Sequence, residues 1–522
     1  MHPSRSAYPI LGILALLVLV PMLGLLTVGD LSGSSSIDLE FWQSRYLGRV
    51  LSFSLWQAFL SAILSVGLAI SVARAIARRG QFLLRQLILK LFGLPLVVPS
   101  VVAVMGVVSV YGSNGWFPLG RSLYGLNGIL LAHIFFNLPL AVRLLLPVWQ
   151  SIPSHHWKMS QQLGLNSWQQ WKHLEWPALR ESLPGITLLV FMLCLTSFAV
   201  VLTLGGGPRS TTLEVAIYQS LRFDFDPSRA VALALLQLSL CIVVAWGSSR
   251  FHKIPEVEIT DLSNQALQLS SNRFLNTLII YLAALFVAMP LFAMIIDALN
   301  GPLLKVLTNP QLWQSAAFTL MIGLSAAFLS VLAAWLLLNT STDLAVSGQK
   351  RKAGLIELAG SMVFVVPPLV LGTGLFVLMA PRLNVFNWAI PIVILINVMM
   401  GLPFVIRTLG PSMRQSKTRY QLLCHSLALS GWSRFKIVDW PILRKSVGLS
   451  AALVAAMAMG DLGVIALFGT PDTTTLPLLL YQQLSAYLIP NAAVTAAFLL
   501  FFCLLVFWLL EAGIGGKRRV EA

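Results

Sequence analysis

A stretch that occurs twice decides the fold: WKMSQQLGLNSWQQWKHLEWPALR at 157–180 and QLLCHSLALSGWSRFKIVDWPILR at 421–444. Trp168 aligns with Trp432, so the copies lie 264 residues apart. Each copy has the pattern of a short helix, a turn, a second short helix and a proline that enters the next helix, where its missing N–H is least needed. Gly164 suits the turn because glycine readily adopts a positive φ. The duplication indicates a chain built from two similar halves.

The repeat extends beyond this stretch. Val98-Pro99 recurs as Val366-Pro367, and the offset between matching motifs stays between 263 and 268 over about two hundred residues. We predict a first half at 1–249, a polar cytoplasmic linker at 250–272 and a second half at 273–522. Because each half would contain an even number of membrane spans, the halves should be parallel and related by an axis along the membrane normal.

Composition indicates a membrane protein. Of the 522 residues, 57% are hydrophobic and only 10% are charged, whereas soluble domains carry about 25% charged residues. About 20 apolar residues in succession can span the hydrocarbon as a helix. We therefore predict an all-α membrane protein with about 12 transmembrane helices in two tandem six-helix repeats. The predicted spans are roughly 9–28, 54–74, 91–111, 127–149, 183–204, 229–248, 275–297, 314–338, 355–380, 387–409, 446–469 and 491–513.

The net charge of +16 follows the membrane topology. With a cytoplasmic N-terminus, 27 of the 35 Lys and Arg residues fall on cytoplasmic segments, as the positive-inside rule requires. Both termini are therefore expected in the cytoplasm, and the basic composition does not indicate nucleic acid binding.

The duplicated segment resembles the signature EAA-x3-G-x9-I-x-LP of the permeases of bacterial ABC importers. The spacing of thirteen from Gly164 to Pro177 is kept. Lys158-Met159-Ser160 and Leu422-Leu423-Cys424 replace the EAA triplets, and Ala428 replaces the second glycine, with the nearby Gly431 as a possible substitute. The resemblance implies a type I ABC importer permease with a MetI-like fold, in the bacterial inner membrane.

In that family the segment forms a coupling helix that docks into an ATPase subunit. The resemblance implies coupling helices at about 157–172 and 421–436, two ATPase copies and a periplasmic substrate-binding protein, for which 205–228 and 470–490 are candidate contacts. No G-x-x-x-x-G-K-[ST] occurs in the chain, so we expect ATP and Mg²⁺ on the partner, with no catalytic residue, cofactor or metal site in this chain. The docking candidates are Lys158, Gly164, Trp168, Trp171, Lys172, Pro177, Ala428, Trp432, Phe435, Lys436 and Pro441.

Within this family the chain is most similar to permeases for thiamine or thiamine pyrophosphate. The similarity covers nearly the whole chain and includes SFSLWQAFLSAILSV, YGLNGILLAHIFFNLPLAVRLLL, SFAVVLTLGGGPRSTTLEVAIYQSL and GDLGVIALFGTPDTTTLPLLLYQQL. It implies thiamine or its phosphate esters as substrate. Ferric-iron permeases share the architecture and are the alternative. A twelve-span secondary transporter is an alternative of another class, but it leaves the duplicated segment unexplained.

Seven residues are candidates for the translocation path. Asp461 is the one carboxylate near the middle of a predicted span, where a charge costs about 2.5–3.5 kcal/mol. It either meets a cationic substrate or forms a packing hydrogen bond beside Gly460. Phe198 is placed at the matching position of the first half, where its ring could face a cation. Polar residues inside the fourth and tenth spans either line the path or form hydrogen bonds between helices. Hydrogen bonding between helices is the simpler interpretation. The candidates are Asp461, Phe198, Ser197, Gly460, His133, Asn137 and Asn397.

Overall fold

A computed structural model describes residues 6–31, 42–249, 272–362, 365–429 and 431–516. Within these ranges the secondary structure is helical, without strands. In the first half the helices are α1 (Ala7–Leu31), α2 (Arg45–Arg79), α3 (Arg85–Leu91), α4 (Ser100–Tyr111), α5 (Leu126–Gln150), α6 (Ser154–Gln162), α7 (Ser167–Gln170), α8 (Trp176–Leu195), α9 (Phe198–Leu204), α10 (Leu213–Arg222) and α11 (Pro227–Ser249). In the second half they are α12 (Arg273–Asn300), α13 (Leu303–Leu307), α14 (Pro310–Val346), α15 (Lys350–Met362), α16 (Pro368–Met379), α17 (Ala389–Ser426), α18 (Gly431–Arg434), α19 (Trp440–Met459), α20 (Gly463–Phe468), α21 (Leu476–Ser485) and α22 (Ile489–Gly515).

Ten helices in the described ranges are long and apolar enough to cross a membrane. They cover ten of the twelve predicted spans. In the third and ninth spans the apolar helices that begin inside the span, α4 and α16, are shorter, with 12 residues each. Pro99 and Pro367 precede these helices in extended conformations, with ψ of 141° and 142°. Because proline lacks an N–H and restricts the residue before it, it breaks both spans at the same repeat position.

The fifth and eleventh spans are also interrupted. α8 ends at Leu195 and α9 begins at Phe198, whereas α19 ends at Met459 and α20 begins at Gly463. The spans predicted over 183–204 and over 446–469 therefore each contain a short break between two helices. Hydropathy could not reveal these breaks, since the residues on both sides are equally apolar.

Contacts divide the chain into two compact units. The first comprises Met1–Leu39, Ala216–Leu238 and Pro302–Ala522, and the second comprises Glu40–Val215 and Ser239–Gly301. The first helix of each half thus belongs to the unit that holds most of the other half: α1 packs on α16, and α12 packs on α4. The predicted linker at 250–272 lies, apart from residue 272, outside the described residues, and the division into halves at that point stays a prediction.

A matching glycine contact secures each exchanged helix. In the second unit, a Cβ on Gly106 of α4 would lie 2.7 Å from the carbonyl oxygen of Pro290 in α12. In the first unit, a Cβ on Gly374 of α16 would overlap the carbonyl oxygen of Pro21 in α1. Small residues at such points let membrane helices approach closely.

The remaining long helices pack in equivalent groups. In the second unit α2 packs on α5 and α8, and in the first unit α14 packs on α17 and α19. These groups carry the two copies of the duplicated segment, since α5 and α8 flank the first copy and α17 and α19 flank the second.

Candidate functional site

The first copy of the duplicated segment forms the predicted helix, turn and helix. α6 ends at Gln162, and Gly164 adopts a φ of 63° in the turn. Asn166 then caps α7: its side chain accepts a hydrogen bond from the Gln169 N–H at 2.9 Å, and the Gln169 side chain accepts one from the Asn166 N–H at 2.9 Å. This reciprocal cap fixes where the second helix begins.

A widened helical turn precedes the proline in both copies. The Trp176 N–H donates to the carbonyl of Trp171, and the Trp440 N–H donates to the carbonyl of Phe435, five residues back in each case. Pro177 and Pro441, which follow, have no N–H to donate. The π-type turns let the chain run on as a helix despite the proline. The prolines thus lie just inside a continuing helix, whereas the sequence predicted a new helix at these points.

The second copy differs before its turn. α17 continues without interruption to Ser426, whereas α5 ends at Gln150 and a separate α6 follows. The reason is local, because Pro153 in the first copy corresponds to Lys417 in the second (417 − 153 = 264), and lysine continues a helix. In the turn, Ala428 adopts a φ of 51° at the position of Gly164, and Gly431 also has a positive φ, 54°.

Both segments expose an apolar and basic surface. Trp168 and Trp432 are 69% and 74% exposed. Lys158, Lys172 and Lys436 are exposed as well. The two turns add exposed leucines, Leu163 in the first copy and Leu427 in the second.

Two of the predicted docking residues, Trp171 and Phe435, face partly inward. The Arg74 guanidinium lies 4.9 Å from the centre of the Trp171 ring. Phe435 stacks on Trp432 with ring centres 5.1 Å apart and meets the edge of Trp335 at 5.6 Å. These rings connect the exposed face to the neighbouring long helices.

Sequence reasoning missed the anchor of the first segment, the carboxylate of Glu175. It is fully buried and receives hydrogen bonds from Arg74 Nε at 2.7 Å, from Arg78 Nε at 3.1 Å and from the indole of Trp149 at 3.2 Å. A buried carboxylate is stable only with such charged and hydrogen-bonding partners. The signal was available, because Glu175 and Asp439 are acids at matching positions just before the Trp-Pro pairs.

The second segment is anchored differently. Asp439 accepts a hydrogen bond from Ser416 at 2.8 Å, and Arg434 lies 3.5 Å away. Arg74 and Arg78 correspond to Asn339 and Asp343 at an offset of 265. The side chains of these two residues accept hydrogen bonds from Lys417 Nζ at 2.6 Å each. In the second half the basic residue of this group therefore comes from α17, whereas in the first half the basic residues come from α2.

Asp461 lies in the break between α19 and α20. One carboxylate oxygen accepts from the Gly463 N–H at 3.0 Å, and the other accepts from the Asn397 side chain at 3.2 Å. The Asn397 amide also donates to the Val393 carbonyl at 2.9 Å. The carboxylate therefore caps a short helix, and Gly460 ends the preceding one. These contacts favour the packing interpretation of Asp461.

The ends of two short helices show which residue of the first half corresponds to Asp461. Gly205 closes α9 and Gly469 closes α20, an offset of 264. At this offset Asp461 corresponds to Ser197 (461 − 264 = 197), the residue immediately before α9, and not to Phe198. Phe198 is the first residue of α9 and is buried.

His133 and Asn137 lie on α5 in the second unit and bond between helices. His133 Nδ1 is 2.9 Å from the Ser61 hydroxyl of α2, and the Asn137 amide donates to the Cys194 sulfur of α8 at 3.2 Å. Both side chains are buried. Their contacts agree with the simpler sequence interpretation, helix–helix hydrogen bonding. Across the residues that can be described, no cluster of three or more His, Cys, Asp or Glu side chains could hold a metal.

The predicted outer segments contain exposed aromatic side chains and one buried acid. Phe223, Phe225 and Tyr487 are 62%, 79% and 83% exposed. Glu214 is buried in α10, and this desolvation raises the pKa of its carboxyl to about 8. Glu214 is therefore not part of a charged outer surface, whereas the three aromatic residues are available for contact.

Comparison with known proteins identifies the family. A model of the binding-protein-dependent transport system inner membrane component matches residues 65–253. The thiamine transport system permease protein of Brucella abortus is 40% identical over 99% of this chain and 97% of its own length. The chain belongs to the binding-protein-dependent inner membrane transport components. The thiamine transport system permease proteins of Escherichia coli K12 and Haemophilus influenzae are 43% and 38% identical, over 92% and 88% of this chain and 91% and 88% of theirs.

Membership in this family makes the chain a permease component of an ABC importer and a multi-pass inner membrane protein. The all-helical structure with its many apolar helices agrees with this family. No solved structure matches the chain.

Proposed function

We propose that this permease carries thiamine or its phosphate esters across the cytoplasmic membrane by alternating access. The observation that carries the proposal is the similarity to thiamine permeases, 38–43% identity over nearly full length. The similarity spans both halves. It therefore includes the predicted spans as well as the two duplicated segments at 157–180 and 421–444, here called the docking segments. None of these relatives is named for iron, which does not favour the ferric-iron alternative.

Energy would come from two copies of a separate ATPase subunit, which holds ATP and Mg²⁺. Each copy would dock on one duplicated segment, against the exposed face around Trp168 or Trp432. Moving a two-state transporter from 1:99 to 99:1 requires about 5.5 kcal/mol of differential binding. Nucleotide-driven closure of the ATPase pair, transmitted through both segments, would supply it.

The two faces of the membrane would serve different partners. The positive-inside bias supports cytoplasmic N- and C-termini and cytoplasmic docking segments. A periplasmic binding protein would deliver substrate to the outer segments, where Phe223, Phe225 and Tyr487 are exposed.

Charge reversal tests docking on the segments. Lys172→Glu and Lys436→Glu change exposed residues in the two segments, and Lys352→Glu is a matched exposed control on α15. We expect the double variant to retain at least about tenfold less ATPase subunit during purification, whereas the control retains the wild-type amount. Undiminished retention by the double variant would argue against docking at these faces.

Uptake tests the substrate. Proteoliposomes would contain this chain, its cognate ATPase and its binding protein, with labelled thiamine and ferric iron offered in parallel. We expect uptake of thiamine that depends on ATP. Uptake of iron instead would overturn the substrate proposal, and thiamine uptake without ATP or ATPase would move the protein to the secondary transporters.

A further inference from the structure

The Glu175 anchor connects the first docking segment to two long helices at once. Arg74 and Arg78 lie one turn apart on α2, and Trp149 lies at the end of α5. Their donors converge on one carboxylate, with Arg74 Nε at 2.7 Å and the Trp149 indole at 3.2 Å. Arg78 is 3% exposed and Glu175 is fully buried, so water cannot replace either partner.

The same arginines also bind the docking segment near its start. Arg74 donates to the Ser167 carbonyl at 3.2 Å, and Arg78 donates to the Ser167 hydroxyl at 2.8 Å and to the Gln170 side chain at 3.2 Å. The segment from Ser167 to Glu175 is therefore held to α2 at both ends. A displacement of this segment must move α2 or break charged hydrogen bonds in a buried site, where an unpaired charge is strongly destabilising.

In the second segment the matching acid, Asp439, bonds to Ser416 of α17 rather than to α14, the counterpart of α2. The acidic residue Asp343 of α14 pairs with Lys417 of α17 at 2.6 Å. Arg434, the cation nearest Asp439, is part of the docking segment itself. The Phe435 ring of this segment also meets the edge of Trp335 on α14 at 5.6 Å. An edge contact between rings tolerates sliding that a bidentate ion pair does not.

We propose that Glu175 is a positioning residue that transmits displacement of the first docking segment to α2, and that the two segments couple unequally. The proposal rests on the docking of an ATPase to both segments. In this scheme the first segment moves with α2 as one body, and the second moves chiefly with α17 through the Asp439–Ser416 bond.

The test compares Glu175→Gln and Asp439→Asn in the complete complex with ATPase and binding protein. The measured quantity is thiamine uptake per ATP hydrolysed, at equal ATPase subunit bound. For Glu175→Gln we expect the ratio to fall about tenfold while bound ATPase stays within about twofold of wild type. For Asp439→Asn we expect a fall of no more than about twofold.

Glu357→Gln is the matched control. It weakens an ion pair outside both docking segments, in which Arg414 Nη1 lies 2.8 Å from each carboxylate oxygen of Glu357. Its uptake per ATP should equal that of wild type. An unchanged ratio in Glu175→Gln with bound ATPase would overturn the proposal, and equal losses in Glu175→Gln and Asp439→Asn would overturn the inequality of the segments.

A milder variant covers the case in which Glu175→Gln does not assemble. Arg74 is 28% exposed, and Arg74→Gln leaves the Arg78–Glu175 pair in place. We expect an assembled complex with a ratio about threefold below wild type. A wild-type ratio in Arg74→Gln would overturn the proposal. If the wild-type chain itself retained no ATPase subunit, the proposed docking would be wrong. That result is distinct from the failure of the Glu175 proposal, in which the wild-type complex assembles but the variants have the wild-type ratio.

Discussion

At the scale of single residues, Asp461 shows how a charge within an apolar span is accommodated. The carboxylate accepts one hydrogen bond from the Gly463 N–H and one from the Asn397 side chain. Helix starts leave N–H groups unpaired, and an aspartate at such a position satisfies one of them. The break between α19 and α20 therefore accounts for an acid for which the sequence left two interpretations open, a substrate contact and a packing hydrogen bond.

Asp461→Asn tests this role. Asparagine caps helices about as well as aspartate, so we expect thiamine uptake within about twofold of wild type. Asp461→Ala removes the cap and should lower the free energy of unfolding by about 1 kcal/mol, measured by unfolding in detergent. Complete loss of uptake in Asp461→Asn, with wild-type stability, would instead show that the negative charge meets the substrate.

At the scale of elements, the two turns of the docking segments differ in the residue at the left-handed position. Gly164 has a φ of 63° and Ala428 a φ of 51°. Glycine adopts this conformation without steric cost, whereas a residue with a Cβ pays about 1 kcal/mol or more. The second turn thus keeps its left-handed conformation despite the steric cost of Ala428, because the flanking helices fix the conformation.

Exchanging the residues should therefore have opposite effects. Gly164→Ala adds strain but no collision, since nothing lies within 4 Å of the added Cβ, and should lower the free energy of unfolding by about 1 kcal/mol. Ala428→Gly should raise it by about 0.5 kcal/mol, because the greater freedom of glycine in the unfolded chain offsets part of the relief. Both changes would be measured by unfolding in detergent. Stabilisation by Gly164→Ala would contradict the role of the positive φ.

At the scale of the whole molecule, each half contributes its first helix to the compact unit that holds most of the other. The contacts that secure this exchange are paired: Gly106 meets Pro290, and Gly374 meets Pro21. Apolar helices in lipid gain little from hydrophobic burial against each other, so close backbone approach at small residues has to select the partner.

Gly106→Ala and Gly374→Ala test the exchange. Each added methyl would collide with a backbone carbonyl, so we expect each variant to lower the free energy of unfolding by about 1–3 kcal/mol. Gly67→Ala on α2 is the control: its Cβ meets nothing within 4 Å, and stability should be unchanged or up to about 1 kcal/mol higher. Equal stability of all three variants in detergent would show that the close contacts do not secure α1 and α12.

The two arginines of α2 show how a feature of the sequence takes on a second role in the folded molecule. By the positive-inside rule, Arg74 and Arg78 count among the 27 Lys and Arg residues that the sequence places on cytoplasmic segments. In the structure they are also the partners of Glu175, which lies 101 and 97 residues further along the chain. A buried arginine and an exposed one look alike in a sequence, so the anchor could be predicted only as far as the matching acids Glu175 and Asp439.

The sequence by itself determined where the apolar spans lie, the tandem repeat, the turn at Gly164 and the family. Each of these depends on residues that are close in the chain or on motifs that recur at a fixed spacing. Only the tertiary structure decided the exchange of α1 and α12, the Glu175 anchor and the capping role of Asp461. These features depend on which distant side chains meet, and a run of apolar residues suits many neighbours equally well, so it does not specify one.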